Sequence, residues 1–145
     1  MNRYFRPCRA LCLAALPWLL PLPASAQPAY EGTAGEWLIL GRNETARAYL
    51  DQRSARRNGD FARVYQLTDF TTAQWVDERT VVGSVRAWVE YDCVRPRART
   101  VALEAYSEQM GEGRRVADEQ KPDAEWEDIA PGGTGEIARR LVCGK

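Results

Sequence analysis

The sequence contains no histidine. Histidine is the commonest metal ligand and the usual proton shuttle near neutral pH, so its absence excludes every Ser-His and Cys-His nucleophile arrangement. Glycine-rich stretches are present, but they lack the lysine and the strand-to-helix setting of a phosphate-binding loop. We therefore predict that the protein is not an enzyme, with no catalytic, cofactor-binding or metal-binding residues and no cofactor.

Long hydrophobic runs are also missing. The longest apolar stretch, from Ala10 to Leu22, is interrupted by two prolines and is shorter than the roughly 20 residues that a membrane-spanning helix requires. It follows three arginines and ends at Ala24-Ser25-Ala26, which is the order of parts in a cleavable signal peptide. We predict a signal peptide at residues 1–26, cleavage after Ala26, and a periplasmic or secreted protein with no membrane insertion after cleavage.

A lipid-anchored or uncleaved form is the alternative to this signal. A lipid anchor needs a small residue before the modified cysteine, placed behind the apolar stretch. Cys12 instead follows Leu11 and lies within that stretch. The form of the signal therefore favours the cleaved protein.

Charge of either sign is not in large excess after cleavage. Of 20 basic and 20 acidic residues, cleavage removes three arginines, which leaves 20 − 3 = 17 bases and a formal charge of 17 − 20 = −3. Because this charge is small and negative, we predict no nucleic-acid partner. The remaining 145 − 26 = 119 residues suit one domain, with a flexible lead-in at residues 27–35 and the domain at residues 36–145.

Cysteine is scarce as well, and only two of the four cysteines lie outside the signal peptide. These are Cys93 and Cys143, which enter an oxidising compartment with no other thiol in the mature chain. We predict that they form one disulfide; a bond between two chains is the alternative. The same pairing leaves no thiolate for catalysis or for a cysteine metal site.

Alternation of apolar and polar residues predicts an antiparallel sheet. From Ser84 to Cys93 the odd-numbered residues are mostly apolar and the even-numbered residues are largely charged, which is the pattern of a strand with one buried face. Asn58-Gly59 predicts a tight hairpin turn. Further strands are predicted at Glu36–Leu40, Ala46–Asp51, Phe61–Leu67, Arg97–Ser107 and Arg114–Ala117.

A helix is predicted after the turn residues Pro131-Gly132-Gly133. Thr134 is the expected N-cap, and Glu136 lies in the first turn, where it favours the helix dipole. The apolar residues after it share one stripe, while Arg139 and Arg140 are expected to face outward. The predicted fold is therefore α+β: an antiparallel sheet of about six strands, with a C-terminal helix packed on one face and linked to it by the disulfide.

One set of residues on the polar side of the sheet is the candidate binding surface. It consists of Arg86, Trp88, Arg95, Arg97 and Arg99. Exposed arginines and tryptophan are typical of protein-binding surfaces. The alternative is that Glu90, Asp92 and Glu104 neutralise the arginines within the domain.

Other charged and aromatic residues have structural interpretations. Glu90 and Asp92 could act as a catalytic pair, but residues two apart on an exposed face more often bind arginines. The acidic stretch at residues 118–125 lacks the oxygen spacing of a calcium loop and is interpreted as a solvated loop. Trp37, Trp75 and Trp126 are expected to be core or turn anchors.

The chain resembles the surface-adhesin protein E family of exported bacterial proteins over nearly all of the mature sequence. The residues that carry the resemblance are Trp37, Tyr49-Leu50-Asp51, Ser84, Glu90-Tyr91-Asp92-Cys93, Arg97, Arg99, Tyr106-Ser107, Met110-Gly111, Val116, Trp126 to Gly132, Gly135-Glu136 and Val142-Cys143. The resemblance implies the same sheet and disulfide-linked helix.

The resemblance also implies a non-catalytic binding or adhesion role, a protein ligand and a homodimer. The family's namesake binds host matrix and plasma proteins, whereas most relatives are small periplasmic proteins without an assigned activity. This sequence lacks a lipid-anchor cysteine and has only two lysines outside the signal peptide, Lys121 and Lys145. The alternative function is therefore a periplasmic structural or inhibitor-like protein with no adhesin role.

Overall fold

The computed structural model describes residues 37–144. The predicted signal peptide and lead-in lie outside the described residues. The strands are β1 (Trp37–Arg42), β2 (Ala46–Asn58), β3 (Phe61–Trp75), β4 (Val81–Asp92), β5 (Arg97–Tyr106), β6 (Arg115–Gln120) and β7 (Glu127–Asp128). One helix follows, α1 (Thr134–Cys143), and a short 3₁₀ turn, Gln109–Gly111, lies between β5 and β6.

The strands form one antiparallel sheet in the order β1-β2-β3-β4-β5-β6, with β7 added beside β5. From β1 to β6 each strand pairs with its neighbour in the chain, as short connections favour. The α+β fold predicted from the sequence is confirmed. Two differences are that β6 extends into the acidic stretch as far as Gln120, and that the two-residue β7 was not predicted.

A hairpin joins β2 and β3 as predicted, but its turn lies one residue later in the chain than expected. Asn58 pairs with Phe61, so the two central residues are Gly59 and Asp60. Gly59 has a φ of 59°, the left-handed region that glycine enters without steric cost. Glycine at the first central position is typical of a type II′ hairpin turn, whereas the sequence had indicated Asn58-Gly59.

The helix packs against one face of the sheet, called here the helix face. Its Ala138 and Cys143 are buried with Leu50, Val64 and Tyr91 in the main hydrophobic core. Successive strand residues alternate between the two faces, so the odd-numbered residues of β4 near its C-terminal end point to the helix and the even-numbered residues point away. The face predicted to be buried from the alternation in β4 is the one that the helix covers.

Several details of the helix differ from the expectation. Gly133 is the N-cap, and no side chain caps the helix there; the Glu136 carboxylate instead accepts a hydrogen bond from the Gly132 N–H at 2.6 Å. Ile137 and Leu141 are exposed by 40% and 44%, because the small Ala138 lets the helix approach the sheet along a narrower stripe.

Arg139 does not face outward as predicted. Its guanidinium donates hydrogen bonds to the backbone carbonyls of Asp92 at 2.7 Å and Cys93 at 2.9 Å. Arg57 similarly donates to the carbonyl of Cys143 at 2.9 Å. These hydrogen bonds join the helix to the sheet independently of the covalent bond beside them.

The predicted disulfide is present. Cys93, which follows β4, and Cys143, at the end of α1, are joined with their Cα atoms 5.5 Å apart. The two residues are only 1% and 2% exposed. The bond closes a loop spanning 50 positions of sequence and fixes the C-terminal end of the helix against the core.

Trp75 was expected to be a core or turn anchor, and the expectation of burial is wrong. It is 72% exposed and lies at the end of β3, next to the 62% exposed Val76. In the turn that follows, Asp77 accepts hydrogen bonds from the N–H groups of Arg79 and Thr80 at 2.7 and 2.8 Å. The β3–β4 hairpin extends past β2 and β5, so no other strand within residues 37–144 covers its end.

Candidate functional site

The face opposite the helix, called here the far face, is organised in rows of residues that are directly opposite one another on successive strands. The aromatic row crosses six strands and consists of Trp37, Asp51, Tyr65, Trp88, Ala102 and Gln120. The charged row lies beside it and consists of Arg56, Arg63, Glu90 and Arg99. The end row consists of Asn58, Phe61, Asp92, Arg97 and Asp128.

The aromatic row is held together by ring contacts. The Tyr65 and Trp88 ring centroids are 5.0 Å apart, and those of Trp37 and Tyr65 are 6.2 Å apart. Tyr65 is buried and Trp88 is half-buried, and the Arg63 guanidinium lies over the Trp88 ring at 5.4 Å. Contacts of this kind between aromatic rings and a guanidinium group stabilise the row.

Trp126 forms the second aromatic contact of the far face. Its ring stacks on Phe61 with centroids 5.5 Å apart, and the guanidinium groups of Arg97 and Arg99 lie 4.8 and 4.7 Å from its centroid. The segment that leads to β7 is thereby attached to the sheet. Trp126 is the turn anchor that the sequence predicted.

The two arginines beside Trp126 are paired with carboxylates. Arg97 contacts Asp92 at 2.8 Å and Arg99 contacts Glu90 at 2.6 Å. These are the partners that the strand pattern indicated, and each pair lies directly across β4 and β5. Arg95 is exposed in the turn between these strands.

Besides pairing with Arg97, Asp92 binds the backbone of that turn. One carboxylate oxygen accepts hydrogen bonds from the N–H groups of Val94 at 2.9 Å and Arg95 at 3.0 Å. Burial alone raises the pKa of the Asp92 carboxyl, but hydrogen bonds from the Arg95 N–H, Arg97 and the Val94 N–H outweigh burial and hold the pKa below its usual value. Asp92 is thus an ionised structural residue rather than a proton donor.

Arg86 lies under the connection between β5 and β6. Its guanidinium donates to the carbonyl of Met110 at 3.0 Å and lies 5.1 Å from the Tyr106 ring centroid. The buried Ser84 accepts a hydrogen bond from the Gly111 N–H at 2.8 Å, and the buried Asp69 accepts one from the Met110 N–H at 2.6 Å. The guanidinium of Arg86 is therefore held beneath this loop.

Gly83 and Gly111 make this close packing feasible. A Cβ atom on Gly83 would lie 2.5 Å from the backbone carbon of Glu108. One on Gly111, whose φ is 75°, would lie 1.8 Å from Arg86 Nε. The loop can approach the strand only because both side chains are absent.

Glu104 collects three donors at the β6 side of the far face. It accepts hydrogen bonds from the hydroxyl groups of Tyr65 and Tyr106 and from Arg115, each at 3.0 Å. Burial raises the pKa of Glu104, but these three hydrogen bonds outweigh it and lower the pKa overall. Burial, followed by the nearby Glu104 carboxylate, raises the pKa of Tyr65.

The buried polar side chains of the far face thus form hydrogen bonds with the backbone of the β4–β5 turn and of the loop between β5 and β6. Holding these segments in place is their evident role. Within residues 37–144 no group of three or more cysteine, aspartate or glutamate side chains is placed to hold a metal ion. The same part of the chain has no helix long and apolar enough to cross a membrane. The far face presents arginine and aromatic side chains, which are grouped around Trp88 and Trp126.

The model of the family described as surface-adhesin protein E matches residues 37–144. The chain belongs to the surface-adhesin protein E family. The matched segment coincides with the sheet, the disulfide and the helix. A search of curated proteins finds no match.

Solved structures of Haemophilus influenzae protein E share the fold. One is 20% identical, with a TM-score of 0.58, and the match covers 74% of this chain and 83% of the protein E chain. A second crystal form has a TM-score of 0.60 at 20% identity and covers 81% and 93%. The structure from the non-typeable organism has a TM-score of 0.58 at 20% identity and covers 81% and 80%. The family match places this chain among adhesin-type surface proteins, and the structures establish that it has their fold.

Sequence reasoning missed the contribution of β2 and β3 to the far face. Arg56 and Arg63 are exposed and belong to the charged row, but neither was among the predicted binding residues. The register shifts between Asp51 and Arg56, and this irregularity decides which arginines of β2 face the same way as Trp88. A cluster of arginines around the Asn58-Gly59 turn was the available signal.

Proposed function

We propose that this chain is a non-catalytic binding domain of the adhesin type, whose protein ligand contacts the far face. The observation that carries the proposal is the layer of guanidinium and aromatic groups around Trp88 and Trp126. Arginine and tryptophan are enriched among residues that dominate protein interfaces. The helix face, by contrast, is occupied by the domain's own helix.

The proposed contact surface keeps four of the residues predicted from the sequence and adds two. Trp88, Arg95, Arg97 and Arg99 remain, and Arg56 and Arg63 join them. Arg86 is left out because the loop at residues 107–112 covers it. Arg97 and Arg99 are each already ion-paired. They therefore offer a ligand the planar surface of the guanidinium group and the paired carboxylate rather than a net positive charge.

We further propose export with cleavage after Ala26, so that the mature protein begins at Gln27 and resides in the periplasm or outside the cell. The buried disulfide supports this proposal, because such bonds persist in oxidising compartments. A homodimer is proposed from family membership alone. The dimer contact would involve an exposed sheet surface.

Photo-crosslinking in the native cell tests the binding role. Phe61 is 40% exposed on the far face, and Leu141 is 44% exposed on the helix, so each accepts a benzoylphenylalanine side chain without loss of the core. We expect the probe at Phe61 to form a specific adduct with a partner protein and the probe at Leu141 to form none. An adduct of two identical chains would show a homodimer through the far face.

Two outcomes would count against the proposal. Adducts from Leu141 alone would place the contact on the helix instead. No adduct from either position, with the protein folded and exported, would favour the alternative of a periplasmic structural protein without an adhesin role.

A further inference from the structure

The arginines of this domain fall into two groups according to what holds them. Arg97, Arg99, Arg115 and Arg140 each contact a carboxylate at 2.6–3.0 Å. Arg56 and Arg63, one on each side of the β2–β3 turn, contact neutral groups instead. Arg56 donates to the carbonyls of Arg53 at 2.7 Å and Ala55 at 2.8 Å, and Arg63 lies over the Trp88 ring.

The charged row therefore has an excess of positive charge. It contains three arginines and one carboxylate, Glu90, and that carboxylate is bonded to Arg99 at 2.6 Å. Within residues 37–144 neither Arg56 nor Arg63 forms an ion pair. No carboxylate in that range offsets their positive charge, while hydrogen bonds restrict the motion of Arg56 and the Trp88 ring restricts that of Arg63.

The position of the two arginines makes this arrangement costly for the domain alone. Arg56 and Arg63 are direct partners across β2 and β3, where side chains are about 5 Å apart at Cβ and like charges destabilise the sheet. An anionic partner would remove that repulsion. It would also meet guanidinium groups that have already lost part of their conformational freedom, which lowers the entropic cost of binding.

We propose that Arg56 and Arg63, with the Trp88 ring against Arg63, form a docking site for an acidic segment of a partner protein. This inference names the ligand chemistry of the proposed binding function and rests on it. Carboxylates match the planar fork of arginine in a bidentate geometry. The neighbouring half-buried Trp88 offers apolar contact of the kind found at the centre of protein interfaces.

The surroundings favour a short acidic segment over a long polyanion. Asp60 follows Gly59 in the adjacent turn, and Asp128 lies in the end row of the far face. Both are exposed acids. A uniformly anionic polymer that extended beyond the two arginines would meet these carboxylates, whereas a segment with two or three acids would not.

Fluorescence anisotropy with defined probes tests the site on the purified mature chain. The probes are a labelled heptapeptide alternating glutamate with valine, its counterpart alternating lysine with valine, and a sulfated heparin-type hexasaccharide. We expect the glutamate peptide to bind most tightly. We also expect its affinity to fall at high salt, where the Debye length shrinks to about 3 Å at 1 M.

Substitutions connect the binding to the two arginines. The double variant Arg56→Gln and Arg63→Gln should bind the glutamate peptide about tenfold more weakly, a loss equal to about 1.4 kcal/mol. Arg79→Gln is the matched control, because Arg79 is exposed at the opposite end of the β3–β4 hairpin and forms no ion pair within residues 37–144. The control should bind like the wild type, and all variants should remain folded with the disulfide intact.

The inference is wrong if the lysine peptide binds as tightly as the glutamate peptide, or if the double variant binds like the wild type. Tighter binding of the sulfated hexasaccharide would also overturn it in favour of a glycan ligand. A crosslinked partner at Phe61 that binds the double variant unchanged would leave the proposed function standing and remove only this site. If the peptide binds but no partner is crosslinked, the affinity of the site for acidic peptides stands and the proposed function is removed.

Discussion

Removing the disulfide is expected to lower the free energy of unfolding by about 2–5 kcal/mol, the usual cost for a small exported domain. The bond between Cys93 and Cys143 spans 50 positions, for which loop-closure entropy alone gives about 4 kcal/mol. Arg139 and Arg57 still join the helix to the sheet after reduction. The domain should therefore remain folded but melt at a lower temperature.

The measurement is denaturant unfolding of the wild type with and without reductant, beside the double variant Cys93→Ser and Cys143→Ser. The double variant should match the reduced wild type, and reductant should leave it unchanged. A thiol assay on denatured, unreduced wild type should find no free thiol in the mature chain. Identical unfolding curves for reduced and oxidised wild type would contradict this account of the disulfide.

Asp92→Ala is expected to cost about 3 kcal/mol, because it removes a buried, charged hydrogen-bond acceptor. Asp92 is only 3% exposed and accepts hydrogen bonds from two backbone N–H groups and from Arg97. Asp92→Asn keeps an acceptor for the turn but loses the charge, so it should cost less, about 1–2 kcal/mol. Asp128→Asn is the control, since Asp128 is exposed in the same row, and its effect should be small.

The pH dependence of these variants gives an independent check. The pKa of Asp92 is lower in the folded protein than its ordinary value, so its ionised form contributes stability above the unfolded pKa of about 4. That contribution is lost as the pH falls through the folded pKa. The stability of the wild type should therefore decrease more steeply in acid than that of Asp92→Asn. Parallel pH profiles for the two proteins would show that the Asp92 charge is not stabilising.

The helix-facing side of the domain could be predicted from the sequence because its signals are local. Alternation from Ser84 to Cys93 assigned the residues of β4 from Ser84 onward to a face, and only two cysteines remained to form a bond after the signal peptide. The prediction of the buried stripe of the helix was less accurate. Ala138 is fully buried in the core, whereas Ile137 and Leu141 lie toward the exposed side of the helix.

The far face could be predicted only in part, because its arrangement depends on strand register. The pairs Arg97–Asp92 and Arg99–Glu90 followed from adjacent strands in sequence. The charged row did not, since residues 52–55 form an irregular stretch of β2 whose length fixes the position of Arg56. The cover over Arg86 also depends on a loop in which Met110 has a φ of 57°, a conformation that no sequence pattern indicated.

Trp75 shows a further limit of sequence patterns. Most of a tryptophan side chain is usually buried, yet β3 and β4 extend past β2 and β5 and leave this one uncovered. Its exposure follows from the unequal lengths of neighbouring strands. Strand length is a property of the whole sheet rather than of the residues around Trp75.

The central claim is that the far face binds a partner while the helix face serves the fold. Hydroxyl-radical footprinting tests it by comparing the purified mature protein with the protein in its native cell envelope. We predict that Phe61 and Trp88 lose reactivity in the envelope while Ile137 and Leu141 react equally in both preparations. Protection of Ile137 and Leu141 with unchanged labelling of Phe61 and Trp88 would contradict the claim.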